Sequence, residues 1–268
     1  MKIYFPQWQG SGNGKNIEPG AKAVLENLND DAFIAIPLST IAAGKNGEKK
    51  YDINNYDAIV DQLTLFKETL EKENPKTLKI IGGDCGLEIV PVSYLNKNHS
   101  NLGVIWFDAH ADINRPCDSA SCNFHGMPLR TLLGEGEEQM HSLLFSTIKA
   151  SQIHYVGLRD IDESEQIRID KDDIYAPKKV HIPELVKTLK DKNITHLYLH
   201  FDFDCLEPSD YDKTYYQVPN GVKITEAEDT ITALQKNFTV VGSSVLESIT
   251  TSSEELQPIE NIINLLMK

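Results

Sequence analysis

Three side chains of metal-binding type alternate in the hexapeptide Phe-Asp-Ala-His-Ala-Asp at residues 107–112. Asp108, His110 and Asp112 follow the apolar run Leu102–Phe107, which has the length and composition of a buried strand. Hydrophobic strands of α/β proteins carry ligand-binding residues where the strand stops, at the carboxyl edge of the sheet. A spacing of two brings two carboxylates and one imidazole into a small volume. The pattern predicts a metal site.

Polar side chains end three further strand-like runs in the same way. The carboxyl ends of parallel strands lie side by side, so these side chains can converge with Asp108 on one point. The four carboxylates of Asp108, Asp112, Asp202 and Asp204 in one cleft would repel each other strongly unless cations lie among them. A carboxylate-rich shell with the one imidazole of His110 suits Mn²⁺. Two such ions ~3.5–4 Å apart can hold a bridging hydroxide, a strong nucleophile at neutral pH. The side chains that follow these runs are Asp84, Cys85, Asp202, Asp204 and Glu247.

Strand-like runs alternate with helix-like runs along most of the chain. This alternation predicts a mainly parallel sheet covered on both faces, which is a three-layer α/β/α fold. The predicted helices include Tyr56–Glu73, Ile182–Lys190 and Thr225–Gln235, and the last opens with a capping-box pattern in which Glu228 follows Thr225 by three residues. The predicted strands are Lys2–Phe5, Ala32–Pro37, Leu78–Gly82, Gly103–Asp108, Ile153–Leu158, Lys179–Ile182, His196–Asp202 and Phe238–Leu246.

The composition limits the class of protein. The 268 residues are 40% hydrophobic, enough for one sizeable core, so we expect a single domain over residues 1–268. A net charge of −14 argues against a nucleic-acid partner. No apolar run approaches the ~20 residues needed to cross a bilayer, and the first residues lack the features of a secretory signal. The four cysteines show no disulfide-like spacing. We therefore expect a soluble cytoplasmic protein without a membrane partner.

Four segments carry motifs in a defined order and spacing: Gly82–Asp84, Asp108–Asp112, Asn123–Pro128 and Asp202–Asp204. These motifs resemble those of the ureohydrolase family, which includes arginase, agmatinase and formiminoglutamase. The resemblance implies an arginase/deacetylase-like α/β/α fold, two Mn²⁺ ions per chain, and hydrolysis of a guanidino or formimino group. It also implies a homo-oligomer, because family members are commonly trimers or hexamers.

The same resemblance assigns the metal ligands. It implies that Asp108 and Asp202 bridge the two ions. Asp112 and a histidine would complete one ion's ligands, and His110 and Asp204 would complete the other's.

Two further segments resemble the parts of arginase that hold an amino-acid substrate. Asn114 and Ser121, with Asn123 as a further candidate, correspond to the loop that receives the α-carboxylate. Asp162 and Glu165 correspond to the acidic residues that recognise the α-amino group. The alternative for these two carboxylates is an acidic, solvated start of a helix.

The predicted catalytic residues are His125, Glu247 and the metal-holding Asp112. His125 resembles the histidine that shuttles protons near the leaving amine, and a pKa near neutrality suits that task. Glu247 matches the carboxylate that pairs with the guanidinium. The leading hypothesis is hydrolysis of L-arginine to L-ornithine and urea by a metal-bridged hydroxide. The alternatives are agmatinase, guanidinobutyrase or formiminoglutamase activity, or a non-catalytic ureohydrolase-like binding protein.

Cys85 departs from the family pattern, because the family places a histidine ligand directly after Gly-Gly-Asp. As a thiolate ligand, Cys85 would favour Zn²⁺, Fe²⁺ or Co²⁺ over Mn²⁺. As a neutral thiol, it would leave the first site weakly held or empty, with one ion per chain. We expect retained metal binding with an altered first site. Tyr216, in the long loop 207–221, is expected to narrow or reshape the substrate pocket.

Overall fold

A computed structural model of the chain describes residues 1–12 and 14–268, and the described residues form a seven-stranded sheet. The strands are β1 (Lys2–Phe5), β2 (Phe33–Ala35), β3 (Leu78–Gly82), β4 (Leu102–Phe107), β5 (Ile153–Val156), β6 (His196–Phe201) and β7 (Thr239–Val245). Their order across the sheet is β2-β1-β3-β7-β6-β4-β5, and every neighbouring pair is parallel. The predicted parallel sheet is confirmed.

Helices cover both faces of this sheet and complete the predicted three layers. One face packs on α2 to α6, and the other on α1 and α7 to α10, each through its own apolar core. No helix among the described residues is both long enough and apolar enough to span a membrane. The helices are α1 (Ile17–Leu28), α2 (Tyr56–Glu73), α3 (Ile89–Asn98), α4 (Pro128–Leu132), α5 (Glu138–Ser142), α6 (Glu163–Lys171), α7 (Ile182–Asp191), α8 (Ile224–Asn237), α9 (Ser253–Leu256) and α10 (Glu260–Met267).

The apolar patterns of the sequence explain these layers. In α2, Ile59, Leu63, Phe66 and Leu70 recur at intervals of three and four residues, and all four are buried in one core. All six residues of β4 are buried, because a central parallel strand is covered from both sides. Successive side chains of β4 thus enter opposite cores, and the side chains of metal-binding type follow beyond its end.

The segment Lys179–Ile182 was wrongly predicted as a strand. Ile182 is the first residue of α7, and Pro183 lies in that helix's first turn, where its missing N–H costs nothing. The parallel bridge to His154 in the edge strand β5 is made by Tyr175, which comes before this segment. A short alternation of polar and apolar residues before a helix therefore resembles a strand in sequence.

The capping pattern at the start of α8 is shifted by two residues from its predicted position. The helix begins at Ile224, and the carboxylate of Glu226 accepts the backbone N–H of Lys223 at 3.1 Å. Glu226 therefore caps the helix in place of the predicted Glu228. The helix itself, predicted over Thr225–Gln235, is confirmed with one additional residue at its start and two at its end.

Candidate metal centre

The strand order brings the polar strand ends together. β6 lies between β4 and β7, and Phe107 is in register with Phe201, so Asp108 and Asp202 each follow directly after paired residues. β7 lies between β6 and β3, which places Glu247 between the Asp202 segment and Cys85. These side chains are all buried at one edge of the sheet. The predicted convergence at the carboxyl edge therefore exists.

Two groups of potential ligand atoms share Asp108. Within each group, the ligand atoms all lie within 4.8 Å of one another. A third group shares Cys85 with the first group and adds two carboxylates that follow β6 and β7. The first group is Cys85, Asp108, Asp112 and His200, the second is Asp108, His110 and Asp204, and the third is Cys85, Asp202 and Glu247.

The two oxygens of Asp108 face different groups. Its Oδ2 lies 3.4 Å from His200 Nε2, while its Oδ1 accepts the backbone N–H of His110 at 2.7 Å. The His110 ring continues toward the second group, with Nδ1 2.9 Å from Asp204 Oδ2. A carboxylate placed between two groups in this way can contribute one oxygen to each of two ions.

Two of the site residues have left-handed backbone conformations. The φ angle is 50° at Asp112 and 60° at Glu247, a region that residues other than glycine seldom adopt. Hydrogen bonds on both segments hold them there: Leu129 N–H donates to the Asp112 carbonyl at 2.9 Å, and Glu247 N–H donates to the Gly83 carbonyl at 2.8 Å. Such conformations cluster at functional sites because the surrounding structure enforces them.

The carboxylates of the site strongly perturb one another. Burial, and then the charge of a neighbouring aspartate, raise the pKa of both Asp112 and Asp202 well above the usual range, and raise that of Asp204 to about 6. Burial also acts on Asp108, but hydrogen bonds from His110 and His200 outweigh it and lower the pKa of Asp108. Crowded carboxylates thus favour protons, or cations in their place.

Unsatisfied buried oxygens show that the residues present fit divalent cations. Oδ2 of Asp112 and Oε2 of Glu247 are buried without a hydrogen-bond partner among the described residues. Buried polar atoms normally have a partner, and an exception requires an explanation. A divalent ion beside Asp112 would satisfy its Oδ2 and offset the charge that raises the pKa of Asp112. A metal or organic cation beside Glu247 would satisfy its Oε2.

Cys85 lies at the centre of the acidic cluster, and its side chain is almost fully buried. Its thiol donates to Asp202 Oδ2 at an Sγ–Oδ2 distance of 3.3 Å. Burial, followed by the charges of Asp202 and Asp112, raises the pKa of Cys85 well above its usual value. Without a cation nearby, Cys85 is therefore a neutral thiol.

His200 was missed from the sequence, although it belongs to the first ligand group. It lies in β6 and is completely buried, with its ring stacked on Trp106 at a centroid distance of 3.4 Å. A histidine within an apolar strand looks like a core residue. The sequence signal for a ligand was the spacing of His200 from Asp202. The two are two residues apart, as are Asp108 and His110.

The predicted substrate-binding residues all line one cavity of about 220 Å³. Several of their polar atoms are already paired within the protein. Asn114 Nδ2 donates to Asp162 Oδ2 at 2.8 Å, and Asn114 Oδ1 accepts the Ser164 hydroxyl at 2.8 Å. The two Glu165 oxygens accept the backbone N–H groups of Ile113 at 3.1 Å and Asp162 at 3.0 Å. The other predicted substrate-binding residues that line this cavity are Ser121 and Asn123.

His125 and Tyr216 also line this cavity, and Glu247 contacts His125. His125 Nδ1 lies 3.1 Å from Glu247 Oε1. Burial lowers the pKa of His125, but the contact with Glu247 reverses this effect and raises it. The Tyr216 ring lies 5.1 Å from that of His125 and 6.2 Å from that of His110. Tyr216 therefore covers part of the cavity, as predicted for this loop.

Comparisons with known proteins agree with this geometry. A family model described as the Arginase family matches residues 20–254. An arginase from Staphylococcus aureus (strain MRSA252) is 31% identical over 240 residues, which cover 85% of this chain and 79% of that protein. The chain belongs to the arginase family. This is a family of hydrolases of carbon–nitrogen bonds that use a binuclear metal centre.

Solved structures of arginases share the fold. The arginase of Entamoeba histolytica, solved in complex with L-ornithine, superposes with a TM-score of 0.83 at 25% identity, covering 98% of this chain and 97% of its own. The arginase of Bacillus subtilis gives a TM-score of 0.81 at 22% identity, covering 100% and 98%. This arginase-family protein therefore has the three-layer arginase architecture.

Proposed function

We propose that this arginase-family protein hydrolyses the guanidino group of L-arginine, releasing urea and L-ornithine. The observation that carries the proposal is the pair of ligand groups that share Asp108, because their members Cys85, His110, Asp112 and Asp204 line one cavity. The lining also includes carboxylate, amide and hydroxyl groups outside the ligand groups, which suit the two charged ends of an amino acid. Family membership supports the same reaction class.

The ligand groups are the proposed positions of two divalent ions. Asp108, His110 and Asp204 form an oxygen-rich group with one imidazole, which suits Mn²⁺. Asp112 and Cys85 lie in the other group, and Asp202 lies beside it. When bound, such an ion pair lowers the pKa of water, so that hydroxide is available as a nucleophile at neutral pH.

The protein's own residues orient the guanidinium and move protons. Glu247 Oε2 has no hydrogen-bond partner among the described residues, so it can accept the guanidinium N–H groups. Glu247 Oε1 is held by His125. The contact with Glu247 raises the pKa of His125 and so favours the protonated ring, which can deliver a proton to the leaving amine.

The amino-acid end of the substrate is proposed to bind where Asp162, Ser121 and Asn123 line the cavity. Asp162 is exposed and can accept an α-ammonium group. Ser121 and Asn123 are polar donors for the α-carboxylate. Asn114 holds Asp162 in position through their hydrogen bond of 2.8 Å. Glu165 also lines the cavity.

A decarboxylated guanidino compound such as agmatine is the second candidate substrate. The observation that favours it is the acidity of the cavity lining, which includes Asp160, Asp162 and Glu165 outside the ligand groups. Asn114, one of the predicted carboxylate donors, is already bonded to Asp162. A second positive charge without a carboxylate would suit these side chains.

A substrate screen tests the proposal. The protein is incubated with Mn²⁺, Co²⁺, Zn²⁺ or Fe²⁺ and with L-arginine, agmatine, guanidinobutyrate or formiminoglutamate, and urea and amine release are measured. We expect urea from L-arginine in preference to agmatine with at least one metal. Preference for agmatine would establish the second candidate. No release under any condition, despite bound metal, would leave a non-catalytic binding protein.

A further inference from the structure

The orientation of the buried His200 is fixed by a carboxylate behind it. Its Nδ1 lies 3.0 Å from Oε1 of Glu88, which is itself completely buried and also accepts hydrogen bonds from Tyr198 and Ser244. A carboxylate only accepts, so the imidazole hydrogen belongs on Nδ1. The other nitrogen, Nε2, then faces the first ligand group.

The distances around His200 Nε2 match a four-coordinate metal site. Nε2 lies 3.8 Å from Cys85 Sγ and 3.4 Å from Asp108 Oδ2. With Zn²⁺-type bond lengths and tetrahedral angles, the sulfur–nitrogen and nitrogen–oxygen separations are about 3.6 Å and about 3.3 Å. Both measured separations are therefore close to those expected between two ligands of one ion.

The fourth member of the group is an independent sign of a ligand. Asp112 is 5% exposed, and its Oδ2 is buried without a hydrogen-bond partner in the described part of the chain. Its potential ligand atom lies within 4.8 Å of those of Cys85, Asp108 and His200. One small divalent ion would satisfy this oxygen and separate the carboxylates from one another.

We propose that His200 supplies the imidazole ligand that the family pattern places at position 85. The first site would then be formed by Cys85, His200, Asp108 and Asp112, and it would take Zn²⁺, Co²⁺ or Fe²⁺ in preference to Mn²⁺. Sulfur and imidazole ligands suit these ions, whereas an all-oxygen shell suits Mn²⁺. The inference deepens the proposed function by giving its two ion positions different metal preferences.

Metal binding at this site would release protons. Cys85 would bind as a thiolate and give its S–H proton to the buffer, and His200 would give up the Nε2 hydrogen that it donates to Asp108 and bind through the Nε2 lone pair. The Nδ1 hydrogen would stay on the ring, donated to Glu88 Oε1. Glu88 and Trp106 are therefore positioning residues, the first by its hydrogen bond and the second by stacking on the ring.

Cobalt titration of the metal-free protein provides a readout that does not depend on turnover. Co²⁺ alone is added, and the near-ultraviolet and visible spectra are recorded together with the number of bound ions per chain. We expect a sulfur-to-cobalt charge-transfer band that saturates with one ion per chain. Cys85→Ser should abolish this band. If the wild-type protein binds one Co²⁺ ion per chain and no such band appears, the assignment of Cys85 is wrong.

Matched histidine variants test His200 itself. His200→Gln should weaken Co²⁺ binding at the sulfur-marked site by at least about 100-fold, beyond the 10–100-fold expected for Glu88→Gln. His154→Gln is the control, because His154 is another completely buried strand histidine and lies outside every ligand group of the described residues. Unchanged affinity in His200→Gln would show that His200 only pairs with Asp108, and the proposal would fail.

X-ray absorption covers the case in which His200→Gln does not fold. The His110→Ala substitution removes the imidazole of the second group, and the folded variant is loaded with one equivalent of Zn²⁺. We expect one sulfur and one imidazole around the ion, whereas an oxygen-only shell would refute the site. These metal-binding results are independent of urea release, so a failed substrate screen and a failed site are distinguishable.

Discussion

Asp108 is the residue on which both proposed ion positions depend, because one oxygen faces each ligand group. We expect Asp108→Asn to reduce bound metal at both positions, from two ions per chain to fewer than one. Asp204→Asn should remove only one ion, since Asp204 belongs to the second group alone. Elemental analysis after gel filtration measures both variants. Equal losses in the two variants would contradict a shared role for Asp108.

Position 85 decides the metal preference of the first group. Cys85→His replaces a thiolate with a neutral nitrogen ligand and should shift the preference toward Mn²⁺. We expect the ratio of Mn²⁺ to Zn²⁺ affinity to rise by about tenfold, a change of about 1.4 kcal/mol. Competition titrations with the two metals measure it. Cys117→His is the control, because Cys117 is exposed and lies outside the ligand groups of the described residues.

At the scale of elements, Glu165 joins the segment after β4 to the start of α6. Its two oxygens accept backbone N–H groups from Ile113 and Asp162, and the residue is buried. Glu165→Ala leaves both N–H groups without this partner, at about 1–3 kcal/mol for each one that stays unsatisfied. We expect the free energy of unfolding to fall by about 2–4 kcal/mol. Chemical denaturation measures it.

The neighbouring glutamate gives a matched comparison for this element. Glu163 is exposed and lies in the same first turn of α6. Glu163→Ala should change stability by no more than about 0.5 kcal/mol. If both variants lose the same stability, the effect comes from helix charge, and the link between β4 and α6 is not responsible.

At the scale of the whole molecule, metal binding and folding are coupled. The ligand groups join segments after β3, β4 and β6, which meet only in the folded chain. Ions that bind only the folded state add about 2.7 kcal/mol of stability at a free concentration 100 times Kd. We expect chelation to lower Tm and metal to restore it in a concentration-dependent way. A Tm unaffected by chelation would contradict bound metal.

The same whole-molecule stability depends on pH through His154. Burial, with a smaller effect of Lys192, lowers the pKa of His154 to about 4 from an ordinary 6.5. Between these values the unfolded chain binds more protons than the folded chain, so stability falls as pH falls from 6.5 to 4. Lowering the pKa of His154 from 6.5 to about 4 corresponds to a loss of about 3 kcal/mol in the free energy of unfolding when the pH falls below both values.

A variant isolates this contribution from the site carboxylates, which also titrate in the same range. His154→Gln should show a shallower loss of unfolding free energy between pH 6.5 and 4 than wild type, when both are measured with chelator present. His181→Gln, at an exposed position, should follow the wild-type curve. Parallel curves for His154→Gln and wild type would mean that His154 is protonated in the folded state.

The sequence alone determined the fold class and most of the acidic site. Alternating strands and helices predicted the parallel α/β/α layers, and a spacing of two placed Asp108, His110 and Asp112 beyond one strand. These are local patterns, because side-chain direction in a strand repeats every two residues and burial follows hydrophobicity. The same local reasoning failed at Lys179–Ile182, where a short run of alternating polar and apolar residues precedes a helix that begins at Ile182.

The tertiary structure alone decided which strand ends meet and what lies behind them. The order β3-β7-β6-β4 places Glu247 between Cys85 and Asp202, and no local pattern specifies that order. His200 and Glu88 are 112 residues apart and both buried, so only folding shows that they hold each other. The physical reason is that a polar residue inside an apolar segment is interpretable only through its partners, and those partners come from distant parts of the chain.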